Sequence, residues 1–113
     1  MARGRANIRI VFNRFPEIAR RAPETTRAAV AKAAHDIEAH AKMVVPVDTG
    51  NLKNSIHTVI EADGFRGVVA TGVEYAPYVE YGTRRMGAKP YMTPAAERVR
   101  PEFIEAMKRI AKV

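Results

Sequence analysis

At 113 residues the chain is long enough for one modest core and too short for two, so a single domain over residues 1–113 is expected. Apolar residues make up 47% of it, which excludes a disordered chain, and no apolar run approaches the length that spans a bilayer, so no membrane partner is expected. Nineteen Lys and Arg against twelve Asp and Glu leave a formal charge of +7, suited to nucleic acid, to an acidic protein surface, or simply to a solvated exterior.

The absence of cysteine removes disulfides and thiolate metal sites, and it fits folding in a reducing cytoplasm. Residues 1–7, with Arg3 and Arg5 around Gly4, read as a flexible basic arm, and no apolar stretch of signal-peptide length follows them. Ile8 to Phe12 alternates as a short strand does, and equally suits the lead-in to a helix. Phe15 to Arg21 has room for one or two helical turns before Pro23.

From Pro23 the pattern is helical. Proline suits the first turn, and Glu24 sits favourably at the positive end of the helix dipole. Val30, Ala33, Ala34, Ile37, Ala41, Val44 and Val45 recur at three- and four-residue steps on one face, with Arg27, Lys32, Asp36, Glu38 and Lys42 mainly on the other. Pro46 ends it, so an amphipathic helix is expected over residues 24–44. Asp48, Thr49 and Gly50 then read as a structural turn: an Asp or Thr side chain accepts from backbone N–H groups ahead of it, and glycine supplies backbone freedom. Leu52 and Ile56, four apart, would tuck this turn onto the core.

Ser55 to Ala62 and Arg66 to Val73 read as two strands around an Asp63-Gly64 turn, giving an antiparallel hairpin with a four- or five-residue connection. Val59 lies among polar neighbours, so one sheet face should be wet. Thr93 is a suitable N-cap and Pro94 a suitable first residue for a last helix. Its apolar stripe is Ala96, Val99, Phe103, Met107 and Ile110, and Pro101 inside it should kink or split the helix. The fold class is therefore α+β: a long N-terminal amphipathic helix and a C-terminal helix packed on a small antiparallel β-sheet. The free edges of such a sheet must be protected or paired with a neighbour.

Little in this chain points to catalysis, a metal or a cofactor, and none is expected. Asp48-Thr49-Gly50 is the triplet of aspartic proteases, in which two carboxylates share a proton across a symmetric interface. There it leaves a strand of an almost wholly β domain, whereas here it follows an alanine-rich helix, which favours the turn. His35 and His40 are five apart and point in different directions on a helix, while Asp36 and His40 are spaced to pair. Ser55 with His57 sits in no recognisable nucleophile turn.

The most irregular stretch runs from Tyr75 to Ala96. Tyr75, Tyr78 and Tyr81 recur every three residues, and Arg84 and Arg85 follow in a glycine-bracketed basic loop that runs on to Lys89, before Tyr91. Tyrosine and arginine are enriched in protein interfaces, and the same mixture grips single-stranded nucleic acid by charge and stacking. The plainer alternative has the tyrosines closing the core.

Three stretches in series, AKMVVPVDTGNLKNSI (41–56), YAPYVEYGT (75–83) and KPYMTPAA (89–96), resemble the gene-10-like head–tail joining or tail-completion proteins of long-tailed bacteriophages, also described as minor tail components. Pro46, Val47, Asp48, Thr49, Gly50 and Leu52 match that family's P-V-D-T-G-x-L turn. Tyr75, Ala76, Glu80, Gly82 and Thr83 match its Y-A-x-x-x-E-x-G-T segment. Pro90, Tyr91, Pro94 and Ala95 match the opening of its last helix, with Tyr91 and Met92 standing where phenylalanine and leucine are commoner. The resemblance implies a non-enzymatic virion protein, made in the host cytoplasm and placed at the head–tail junction or tail. It would assemble as a ring with copies of itself and meet other neck and tail proteins, with nonspecific DNA contact compatible with its charge. Tyr78, Glu80, Arg84, Arg85 and Lys89 are the expected contact residues. A small basic nucleic-acid-binding module is the alternative.

Overall fold

The computed structural model describes residues 8–12, 16–46 and 50–111, so the basic arm at 1–7 and the turn residues Asp48 and Thr49 lie outside the described residues. In chain order the elements are β1 (Ile8–Phe12), α1 (Pro16–Arg21), α2 (Pro23–Val44), α3 (Gly50–Ser55), β2 (His57–Ile60), β3 (Gly67–Thr71), α4 (Ala76–Tyr81) and α5 (Met92–Ala111). The architecture is α+β, with α2 and α5 packed together beside a three-stranded antiparallel sheet of order β1-β3-β2. The ambiguous segment at Ile8 is thus a strand, and it pairs with the central β3 from Ile8↔Thr71 to Phe12↔Gly67.

Helix α2 starts at Pro23, one residue before the expected boundary, and buries Val30, Ala33, Ala34, Ile37 and Ala41 as the periodicity requires. Thr26 is buried as well, its hydroxyl donating to the Ala22 carbonyl at 2.8 Å. The stripe departs from expectation at its end: Val44 is exposed and Val45 buried. Pro46 forces its predecessor out of the helical region, so Val45 adopts an extended conformation that turns its side chain inward. Residues 50–55 form a helical turn where a strand was expected to begin at Ser55. The Ser55 hydroxyl donates to the Leu52 carbonyl at 2.8 Å and the Ile56 N–H to Lys53 at 3.3 Å, which closes the turn and seats Leu52 and Ile56 in the core.

The hairpin register runs from His57↔Ala70 to Ile60↔Gly67. Its connection, residues 61–66, is longer than expected because both strands stop short. Glu61 N–H still donates to the Arg66 carbonyl at 2.9 Å, and their side chains pair at 2.6 Å. Arg27 of α2 holds the tip, donating to the Asp63 carbonyl at 2.9 Å with its guanidinium 4.7 Å from the Phe65 ring centroid. Gly67, Val69 and Thr71 are buried while Val59 is 49% exposed, so one face of the sheet is covered and the other is wet. A Cβ at Gly67 would lie 3.1 Å from that of Ala34, which shows how closely β3 approaches α2.

Helix α5 runs unbroken through Pro101, contrary to a split. An interior proline costs roughly 3 kcal/mol. Val99, Phe103, Met107 and Ile110 are all buried, and each such side chain contributes roughly 1.5–3 kcal/mol. Packing against α2 therefore outweighs the lost hydrogen bond. Among the described residues no helix is long and apolar enough to cross a membrane.

Candidate functional site

The segment from Tyr75 to Lys89 is built around the short helix α4. Ala76 and Val79 are buried, whereas Tyr75, Tyr78 and Tyr81 are 37%, 56% and 69% exposed. A three-residue step on a helix keeps side chains on one slowly drifting stripe, so the tyrosines form an outward row. Tyr91 does not join them. It is fully buried, its hydroxyl directed at the Ala76 carbonyl at 3.5 Å, and burial followed by the nearby Glu80 charge pushes its ionisation well up.

Glu80, expected with the contact residues, instead turns inward. It is 3% exposed, and its carboxylate accepts from the backbone N–H groups of Tyr91 at 3.0 Å, Met92 at 2.8 Å and Thr93 at 3.0 Å. A helix leaves its first four N–H groups without internal partners. In α5 three of these are met by one carboxylate, and the fourth does not exist because residue 94 is proline. Helix α5 accordingly begins at Met92, with its cap supplied by α4 rather than by Thr93. Burial alone would raise the Glu80 carboxyl, but the three N–H groups outweigh it and hold the group below its ordinary 4.5.

Helix α4 stops at Gly82, whose φ of 80° is the left-handed region. A Cβ there would lie 2.8 Å from Ala88 N and 2.9 Å from Met86 O, so both conformation and space demand glycine. The following loop folds back over it. Thr83 N–H donates to the Met86 carbonyl at 2.8 Å, and the Thr83 hydroxyl oxygen accepts from Arg85 N–H at 3.2 Å and Met86 N–H at 3.1 Å. Lys89 N–H closes the loop onto the Val79 carbonyl at 2.8 Å.

This backbone framework leaves Arg84, Arg85, Met86 and Lys89 exposed, and among the described residues none of the three cations makes an ion pair. Glu80 is the only acid between Tyr75 and Lys89, and it faces the core. The outer surface here is therefore aromatic and positive. Tyr78, Arg84, Arg85 and Lys89 share it, while Tyr75, Tyr81 and Met86 extend it. The three-residue tyrosine spacing was the available signal for the first two of these.

The other sequence candidates are placed elsewhere. Gly50 opens α3 in open space. Ser55 bonds to Thr71 through their hydroxyls, and His57 Nδ1 contacts the Ser55 carbonyl oxygen at 2.8 Å rather than its hydroxyl. Asp36, spaced to meet His40, pairs with Lys32 at 2.7 Å.

The family model described as "Bacteriophage HK97-gp10, putative tail-component" matches residues 12–82. That range takes in α1, α2, α3, the hairpin and α4 up to Gly82, and it ends where the basic loop begins. Curated proteins and solved structures gave no match. With more than half of its length matched, the chain belongs to the HK97-gp10-like family of bacteriophage tail components.

Proposed function

We propose that this tail component is a structural subunit that assembles as a ring at the head end of the tail and helps join head to tail. The observation that carries the reading is the preformed outward loop after α4, where unpaired cations sit beside an exposed tyrosine row. Such a surface suits contact with neighbouring subunits or other neck and tail proteins, because tyrosine and arginine bring large contact area at modest ordering cost. Closed rings use heterologous contacts, so one surface of each subunit meets a different surface on the next. The protein works without catalysis or cofactor, in the virion, after synthesis in the host cytoplasm.

Electron microscopy of particles lacking this reading frame tests the role. Filled heads and tails that fail to join, or tails with unfinished ends, are the expected result. Normal infectious particles would remove the joining role.

A further inference from the structure

A groove of about 440 Å³ runs between α2 and α5 on the solvent side of the helix pair. Its apolar lining includes Ala29, Ala33, Val99 and Phe103, and a second hollow of about 430 Å³ continues it past Ala106 towards Ala22. Alanines stand where larger side chains would fill the space between two helices. The charged lining has Asp36, Glu102 and Glu105 against Lys32 and Arg109, the reverse of the chain's overall balance. Lys32 is already bound to Asp36 and Glu105 has Lys108 at 3.8 Å, whereas Glu102 makes no ion pair among the described residues. The groove is thus apolar within, and its unpaired acid is Glu102, with Glu105 one helical step further on.

The loop of residues 83–89 is complementary to it. Met86 is 45% exposed and follows directly on Arg84 and Arg85, with Lys89 three residues later. An unbranched thioether side chain adapts to a shallow apolar groove, and a loop already closed by its own backbone hydrogen bonds loses little freedom on docking. In its own subunit the loop is closed onto α4, and none of its residues lines the groove. Lys89 is tied to Val79 beside the first turn of α5, and Val99 lies seven residues further along that helix, roughly 10 Å away at 1.5 Å per residue.

We infer that the 83–89 loop of one subunit docks into the α2–α5 groove of the next copy, with Met86 in the apolar floor and Arg84 and Arg85 against Glu102 and Glu105. This deepens the ring reading and rests on it. The two surfaces differ, so the contact is head-to-tail and either closes into a ring or propagates.

The chain has no native cysteine, which allows a direct test. Full-length protein carrying Met86→Cys with Ala106→Cys is oxidised at high concentration, beside chains with Met86→Cys alone and Met86→Cys with Asn51→Cys. A ladder of cross-linked oligomers specific to the first pair is the expected result. No ladder, or the same ladder with the Asn51 control, overturns the contact. Sedimentation of the native chain separates the two readings: an oligomer without the ladder removes this contact and keeps the ring, whereas a monomer without the ladder removes self-assembly as well. In a second measurement, Arg84→Glu with Arg85→Glu should weaken self-association by about tenfold or more. Adding Glu102→Arg with Glu105→Arg to the same chain should restore it, and failure to restore it counts against the pairing.

Discussion

A carboxylate that meets three backbone N–H groups stabilises two elements at once. Glu80 fastens α4 to the first turn of α5, so its loss leaves three donors without this partner, two of them buried. Glu80→Ala should therefore cost roughly 3 kcal/mol, read as a shift in urea midpoint. Its folded-state ionisation lies below 4.5, so this stabilisation is complete above that value and is lost as pH falls through the depressed one. The native chain should weaken across that acid range, and Glu80→Gln should show a flatter profile there. An equally steep profile for Glu80→Gln would assign the acid sensitivity to other carboxylates, Glu38 among them, since its bonds to Lys42 and Thr58 outweigh burial and also hold it low. Gly82 is a second single-residue requirement. Gly82→Ala meets the Ala88 and Met86 backbone at a positive φ and should cost about 2 kcal/mol or more, whereas Gly50→Ala meets nothing within 4 Å and should change stability little. Comparable losses in the two variants would refute this account of the loop.

Among the elements, α5 shows most clearly how packing overrules local preference. Pro101 removes the N–H that would reach the Glu97 carbonyl, yet the helix is continuous because its apolar stripe lies on α2. Pro101→Ala should restore that bond and raise the thermal midpoint by the equivalent of about 1 kcal/mol or more. A lowered midpoint would mean that proline's restriction of the unfolded chain dominates instead. The tie between α2 and β2 is polar: Glu38 takes a hydrogen bond from the Thr58 hydroxyl at 2.6 Å and pairs with Lys42 at 2.7 Å. It fixes the sheet's edge strand to the longest helix.

For the whole molecule, assembly and stability should separate at the loop. Arg84 and Arg85 are exposed and unpaired, so Arg84→Ala with Arg85→Ala should leave the unfolding midpoint within about 0.5 kcal/mol of the native chain. The same variant should fail to complement a phage or prophage lacking the reading frame, scored as joined particles by microscopy. Full complementation would dismiss these arginines as assembly contacts. The sequence by itself determined the α+β class, the long helix from its three- and four-residue apolar steps, the hairpin around Asp63-Gly64 and the family, because these depend on local periodicity, turn chemistry and residues close together in the chain. It also singled out the loop cations, since charge beside clustered tyrosine is visible without coordinates. Only the tertiary structure decided that Glu80 faces inward, that Tyr91 is core while Tyr78 is surface, that Ile8–Phe12 is a strand, and that a groove remains between α2 and α5. Each of these depends on what a residue meets across many positions in sequence: the first turn of α5, the Ala76 carbonyl, the edge of β3, and alanines on two separate helices.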